Sequence, residues 1–202
     1  MLAASIARPG ATAGDPRLPP GAARQEAAVR QTTKPPAAVP RVLDLDGRRV
    51  DPLDAAAVAT VLVFDRIDCP ISNRYAPDLR RLHERFAPRG VRFRLVYPGR
   101  DVQPMDIRRH LKEFAYPADA LRDPEFALVD LTGARVTPEA AVFRGRTLVY
   151  RGRIDDRYIS PGRMRPAPRR RDLEEALEAL LVGRPVPAPG GPAVGCLIDD
   201  LR

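Results

Sequence analysis

The chain contains two cysteines, Cys69 and Cys196, and they are its first candidates for chemistry. Cys69 follows an apolar run at residues 60–64 and directly precedes Pro70, so it lies where a strand ends and a helix begins. The unpaired N–H groups at a helix N-terminus stabilise a thiolate and lower the pKa of a cysteine placed there. Cys69 is therefore the candidate nucleophile. A small buried core residue is the alternative interpretation.

Three residues after Cys69, where a second cysteine would complete a redox pair, the chain has Ser72. The two residues are one helical turn apart, so the Ser72 hydroxyl can hydrogen-bond the thiolate but cannot form a disulfide. A first-turn capping role is the alternative for Ser72. Asp65, at the end of the preceding strand, is a candidate proton acceptor, although a simple polar strand end is the favoured interpretation.

Cys196 is the candidate resolving cysteine. It lies about 13 residues beyond Gly183. At ~3.3 Å per residue such a segment can span ~40 Å, which is more than a domain radius, so pairing with Cys69 is within reach. A free thiol, an intermolecular disulfide and metal binding stay open as alternatives.

The two histidines do not indicate a metal site. His83 and His110 each lie beside a leucine on a predicted helix, and neither is at a ligand spacing from a cysteine. Two cysteines are also too few for a zinc site built from cysteine alone. We therefore expect no metal and no other cofactor, and we expect both histidines at exposed or half-buried helix positions.

The elements that position Cys69 follow from hydrophobic periodicity. The run at residues 60–64 is β-branched and continuous, which is typical of a buried central strand. Apolar residues recur every three or four positions over residues 71–86, which predicts one helix. Further patterns predict a hairpin at 41–50, a strand at 91–97, helices near 107–114 and within 124–132, strands at 133–143 and 147–155, and a helix at 173–181. This order predicts a mixed α/β sheet with helices on both faces.

The two ends of the chain differ in composition from its middle. Residues 1–40 are rich in Ala, Pro, Gly and Arg, so we expect a disordered tail before a domain at residues 41–185. Residues 186–202 form a Pro/Gly-rich C-terminal tail that carries Cys196. No stretch approaches the ~20 apolar residues of a membrane span, and the start is a poor signal peptide. We expect no membrane partner and a cytoplasmic location by default, or an extracytoplasmic one if the start codon is mis-called.

The net charge of +8 raises the question of a nucleic-acid or anionic membrane partner. Lysine occurs only at positions 34 and 112, so arginine supplies nearly all of the positive charge. The arginines are scattered beside acidic residues, and even the run at 169–171 is followed at once by Asp172. We therefore expect no nucleic-acid partner.

Three motifs carry a resemblance to a known family: "DCPISNRYAPDL" at 68–79, "GARVTPEA" at 133–140 and "YRGRIDDRY" at 150–158. A Cys-Pro step at a strand–helix junction, followed about 70 residues later by Thr-Pro and a hairpin, resembles the thioredoxin fold. More narrowly, it resembles the redoxin or peroxiredoxin-like branch, of the alkyl hydroperoxide reductase/thiol-specific antioxidant type. The resemblance implies an α/β thioredoxin-like fold with a central mixed sheet flanked by helices on both faces.

In that family the proline that matches Pro138 is cis and faces the catalytic cysteine. The resemblance therefore implies a cis bond after Thr137 and a role for both residues, with Ser72, in positioning the thiolate or substrate. Peroxiredoxins typically place threonine and proline where this chain has Arg66 and Leu62. Neither the thioredoxin nor the peroxiredoxin mechanism therefore transfers intact.

Two functions follow as hypotheses. In the first, the protein is a thiol redox enzyme with disulfide-exchange or antioxidant activity. Cys69 attacks a protein disulfide, a small-molecule disulfide or a peroxide, and Cys196 or an external thiol reductant resolves the product. In the alternative, it is a non-catalytic thioredoxin-like binding module. A metal-carrying thioredoxin relative is a third class, which the small number of ligands disfavours.

Overall fold

A seven-stranded mixed sheet forms the centre of the protein in the computed structural model, which describes residues 39–201. The N-terminal tail predicted for residues 1–40 lies outside this range except for its last two residues. The first five strands are β1 (Val42–Leu43), β2 (Arg49–Val50), β3 (Ala59–Phe64), β4 (Val91–Pro98) and β5 (Asp119–Asp123). The others are β6 (Val136–Thr137), β7 (Glu139–Arg144), β8 (Thr147–Gly152), β9 (Tyr158–Ser160), β10 (Arg163–Met164) and β11 (Cys196–Leu197).

The central sheet has the strand order β2-β1-β5-β4-β3-β7-β8. Strand β3 pairs in parallel with β4 and antiparallel with β7, so the strand that leads to Cys69 lies inside the sheet. All six residues of β3 are buried. The remaining strands form two small antiparallel pairs, β9 with β10 and β6 with β11.

Within residues 39–201, five α-helices accompany these strands: α1 (Pro70–Arg74), α2 (Ala76–Phe86), α3 (Pro104–Glu113), α4 (Ala127–Thr132) and α5 (Asp172–Leu181). The single helix predicted over residues 71–86 is wrong in one respect, because the chain breaks at Tyr75 between α1 and α2. Pro77 explains the break, since proline has no N–H to donate and its ring crowds the carbonyl four residues earlier. No helix within residues 39–201 is long and apolar enough to cross a membrane.

Helices lie on both faces of the sheet, as predicted. Val61 and Val63 of β3 belong to an apolar cluster that also contains residues of α1, α2, α3 and α5. Leu62 and Phe64 belong to a second cluster, which contains residues of α4. This division follows from the alternation of side chains along a strand. Cys69 is part of the first cluster.

The segment after α5 passes beside Cys69 and forms a two-stranded sheet with β6. Cys196 and Leu197 of β11 pair antiparallel with Thr137 and Val136 of β6. Ile198, the next residue, is fully buried and belongs to the second apolar cluster. The Pro/Gly-rich composition gave no indication of this strand.

Candidate active site

Cys69 lies at the N-terminus of α1, as the sequence predicted. Strand β3 ends at Phe64, and a short turn follows in which the Cys69 N–H donates to the carbonyl of Arg66 at 3.1 Å. Cys69 is the N-cap residue of α1, and Pro70 follows in the first turn, where its missing N–H leaves no helical bond unmade. The exposure of Cys69 is 0%. The thiol therefore lies at the N-terminus of a helix and is shielded from solvent.

The second thiol lies directly against the first. Cys196 Sγ is 2.6 Å from Cys69 Sγ and donates to it. Cys69 Sγ in turn donates to the carbonyl oxygen of Thr137 at 3.1 Å. Both cysteines are free thiols in this structure. The pairing of β11 with β6 produces this contact, because it sets Cys196 opposite Thr137.

The surroundings of the two thiols shift their pKa values in opposite directions. Burial alone would raise the pKa of Cys69, but the hydrogen bond from the Cys196 thiol, together with the nearby N–H and hydroxyl of Ser72, outweighs burial and lowers it. For Cys196, burial and the hydrogen bond that it donates to Cys69 raise the pKa to about 12. Cys69 is therefore the thiol of the pair that ionises more readily, and Cys196 is its hydrogen-bond donor.

The other predicted site residues lie around the same sulfur. Ser72 and Thr137 both have an exposure of 0%, and neither hydroxyl has a hydrogen-bond partner within residues 39–201. The Ser72 hydroxyl is nevertheless near enough to lower the pKa of Cys69 and of Asp65. It makes no capping bond to α1 among the described residues, which goes against the capping interpretation. The Thr137–Pro138 peptide bond is cis.

Arg66 places a cation beside the two thiols, but this cation also forms an ion pair with Asp68. The Arg66 guanidinium binds the Asp68 carboxylate through two hydrogen bonds of 2.5 and 2.9 Å. The Arg74 guanidinium contacts Met164 Sδ at 3.2 Å. Among the groups that lower the pKa of Cys69, the Cys196 thiol has the largest effect and the N–H of Ser72, in the first turn of α1, the next largest.

Asp65 is a buried carboxyl, whereas the favoured interpretation of the sequence was a simple polar residue at the end of a strand. Its exposure is 1%, one carboxylate oxygen accepts from the Arg66 N–H at 2.6 Å, and the other has no partner among the described residues. Burial raises the pKa of Asp65 to about 7, although the nearby Tyr116 and Ser72 hydroxyls act to lower it. The favoured interpretation, a polar strand end, did not anticipate a buried carboxyl that exchanges protons near neutral pH.

A buried histidine supports the turn that carries Cys69. His110 Nδ1 lies 2.8 Å from the Tyr97 hydroxyl, and His110 Nε2 lies 2.7 Å from Asn73 Oδ1. Asn73 Nδ2 donates to the Ile67 carbonyl at 3.0 Å, so these bonds link α3 to the turn before Cys69. The exposure of His110 is 2%, and the prediction that it would be exposed or half-buried is wrong. Burial lowers the pKa of His110, which favours the neutral ring.

The motif "YRGRIDDRY" connects the hairpin after the cis peptide to the helices beside Cys69. The Tyr75 hydroxyl donates to Asp155 Oδ1 at 2.5 Å, and the Arg157 N–H donates to the same oxygen at 2.9 Å. Arg157 also pairs with Asp78 of α2 at 2.9 Å. Arg153 pairs with Asp172 at the start of α5 at 2.8 Å.

We expect Asp65→Asn to stabilise the protein at about pH 8. The folded-state pKa of about 7 is above the ~3.9 of an unfolded aspartate. The stabilisation that protonated Asp65 provides is therefore fully present below about pH 4 and is lost as the pH rises through about 7. Asparagine does not ionise, so the variant should gain roughly 2 to 4 kcal/mol of unfolding free energy at about pH 8. Urea titrations of both proteins between about pH 4 and pH 8 measure this gain.

The matched control is Asp68→Asn, which removes an exposed carboxylate whose pKa is lowered by its hydrogen bond to Arg66. This control should gain no stability at any pH in the same range. A gain for Asp65→Asn that is independent of pH would show that the Asp65 carboxyl does not titrate in this window.

The comparisons with known proteins bear on the fold. The chain is similar to an uncharacterized conserved protein from Geobacillus kaustophilus, with 29% identity, a TM-score of 0.69, and coverage of 79% of this chain and 87% of that one. A hypothetical protein from Sinorhizobium meliloti 1021 has 23% identity, a TM-score of 0.68, and coverage of 78% and 88%. A thioredoxin-like protein from Aeropyrum pernix has 16% identity, a TM-score of 0.49, and coverage of 55% and 79%. No protein-family model and no curated protein matches the chain.

The chain has a thioredoxin-like α/β fold, as the sequence predicted. A central mixed sheet carries Cys69 at the end of an inner strand, with helices on both faces. The first two similar structures have names that state no activity. The chemistry therefore has to be inferred from the residues around Cys69.

Proposed function

We propose that the protein is a thiol–disulfide oxidoreductase in which Cys69 is the nucleophile and Cys196 the resolving cysteine. The observation that carries this proposal is the contact of 2.6 Å between the two sulfur atoms. A binding module needs no such contact, whereas a two-cysteine redox cycle requires the thiols to meet. The lowered pKa of Cys69 and the raised pKa of Cys196 support the assignment of roles.

In the first step, the Cys69 thiolate attacks one sulfur of a substrate disulfide. A bond forms between Cys69 Sγ and that sulfur, the substrate S–S bond breaks, and the second substrate sulfur leaves as a thiolate that takes up a proton. Thr137 and Pro138 border the attacked position, because the Thr137 carbonyl already contacts Cys69 Sγ. The N–H and hydroxyl of Ser72 lie near enough to Cys69 to lower its pKa and so favour the thiolate.

In the second step, Cys196 attacks Cys69 Sγ in the mixed disulfide. A Cys69–Cys196 bond forms, the first substrate sulfur leaves as a thiol, and the two cysteines have then given two electrons to the substrate. Cys196 must lose a proton to attack, and its raised pKa opposes this loss. The departing thiolate is one acceptor for that proton. Asp65, which has a pKa of about 7 and shares Ser72 as a neighbour with Cys69, is a second candidate acceptor.

Substrate access requires part of the C-terminal segment to move. Cys69 has no exposed surface in this structure, and Cys196 lies against its sulfur. An external disulfide can reach Cys69 only when β11 separates from β6. Strand β11 has two residues, so its separation breaks few backbone hydrogen bonds. The partners in this proposal are a disulfide-containing substrate and an external thiol that returns the protein to its dithiol form.

Intact-mass measurement on the full chain tests the proposal. The reduced protein is mixed with one equivalent of oxidised glutathione and sampled over time. We expect a short-lived glutathione adduct, then a product lighter than the dithiol protein by two hydrogen atoms, with its bond mapped to Cys69 and Cys196. An unchanged mass, or a stable adduct on Cys196 alone, would contradict the proposal and favour a binding module. A parallel sample with hydrogen peroxide shows whether peroxide drives the same bond faster than the disulfide does.

A further inference from the structure

The residue before Cys196 makes the tightest backbone approach at the site. A Cβ atom added to Gly195 would lie 2.1 Å from the Thr137 carbonyl oxygen and 2.6 Å from the Thr137 carbonyl carbon. Both distances are far below van der Waals contact. The backbone of Gly195 is not in the left-handed region that favours glycine. The lack of a side chain therefore matters at this position because of the contact with Thr137.

Thr137 has little freedom to move away from such a side chain. Its exposure is 0%, and it is the last residue of β6, directly before Pro138. Strand β7 begins directly afterwards and pairs with β3 inside the sheet. The Thr137 carbonyl also accepts from Cys69 Sγ. A displacement of Thr137 would therefore disturb the central sheet and the nucleophile together.

The C-terminal segment is held on both sides of Gly195. Before it, the Gly190 N–H donates to the buried carboxylate of Asp172 at 2.7 Å. After it, the Ile198 N–H donates to the Arg135 carbonyl at 2.9 Å, and the Ile198 side chain is fully buried. A side chain at position 195 would lift the segment between these two attachments, and Cys196 lies at that point.

We propose that Gly195 is a positioning residue for the resolving step, because its missing side chain lets β11 lie close enough to β6 for Cys196 to contact Cys69. This inference rests on the proposed function of the two cysteines. The rate at which the Cys69–Cys196 bond closes then depends on the close backbone approach at Gly195 as well as on the cysteine at position 196.

The test compares Gly195→Ala with Gly191→Ala in the full chain. Gly191 lies in the same segment and is also outside the left-handed region. A Cβ there meets the end of the Arg153 side chain at 2.9 Å, which can rotate away, rather than backbone. Each reduced protein is mixed with oxidised glutathione, and the conversion of the adduct to the intramolecular disulfide is followed by mass.

For Gly195→Ala we expect closure to slow on the order of 100-fold, since a misplacement of about 1 Å between reacting atoms has effects of this size. The glutathione adduct should accumulate on Cys69, and Gly191→Ala should close at the rate of the unmodified protein. Closure in Gly195→Ala at the unmodified rate would overturn the inference while leaving the proposed function intact. Failure of the unmodified protein to form the bond would overturn both.

A second measurement separates positioning from a general loss of structure. The pH midpoint for alkylation of Cys69 should rise in Gly195→Ala, because Cys196 no longer donates to the thiolate. In Cys196→Ala, which has no donor to misplace, adding Gly195→Ala should leave the midpoint unchanged. A further rise in the double variant, or a Gly195→Ala chain that does not fold, would show that Gly195 serves the fold, and the inference would fail.

Discussion

Replacement of Cys69 by serine is expected to abolish turnover with disulfides and with peroxide. A serine hydroxyl does not ionise near neutral pH and forms no sulfur–sulfur bond, so the first covalent intermediate is lost. Because removal of a nucleophile costs several orders of magnitude in rate, we expect a fall of at least about 1,000-fold. Consumption of oxidised glutathione and of hydrogen peroxide by the full chain, with excess thiol reductant, measures this effect.

Two controls accompany the Cys69→Ser variant. Its thermal unfolding should stay close to that of the unmodified protein, since serine is nearly isosteric with cysteine and Thr137 still offers an acceptor. The pKa of its remaining thiol, Cys196, should be raised by burial but no longer by Cys69, so Cys196 should alkylate faster than it does in the unmodified protein. Turnover above a tenth of the unmodified rate in a folded Cys69→Ser protein would exclude Cys69 as the nucleophile.

Cys196→Ser is expected to stop the cycle after the first step. Cys69 can still attack, but no thiol lies beside it to resolve the product, so a mixed disulfide or a sulfenic acid should accumulate on Cys69. We expect more than about nine-tenths of the protein in that form after one equivalent of oxidant, because intramolecular closure is no longer available. Intact mass and peptide mapping detect the trapped species. A rapid return to the free thiol without added reductant would contradict a resolving role for Cys196.

The pH profile of the same variant tests the electrostatics. A serine at position 196 can still donate a hydrogen bond to the thiolate, whereas an alanine cannot. We therefore expect the alkylation midpoint of Cys69 to lie below the ~8.5 of a free cysteine in Cys196→Ser, and to lie higher in Cys196→Ala. If both midpoints are at or above the free value, the helix terminus does not stabilise the thiolate and Cys69 is a structural residue.

The sequence was informative where the determinants are local. The apolar run, the Cys-Pro step and the helical spacing that follows lie within about 25 residues, and they placed Cys69 correctly at the strand–helix junction. The resemblance supplied Thr137 and Pro138. These signals need no knowledge of which distant segments meet, so they can be read from a single chain.

The sequence was uninformative where pairing across long distances decides the structure. Strand β5 reads "DALRD", which lacks β-branched residues, and it is a strand because it lies between β4 and β1. Strand β11 has two residues and pairs with a partner about 60 positions earlier. The burial of Asp65 and His110 depends on the packing of several elements. Composition and periodicity do not contain that information.

The contact between Cys69 and Cys196 joins residues that are 127 positions apart in the chain. A disulfide between them closes a large covalent ring and lowers the conformational entropy of the unfolded chain. In the chain-entropy model, this loss raises the free energy of the unfolded chain by about 4 to 5 kcal/mol. The oxidised protein should therefore resist heat and proteolysis better than the dithiol form. The same free energy opposes any reductant that opens the ring, so a substitution that destabilises only the oxidised form makes the protein a stronger oxidant.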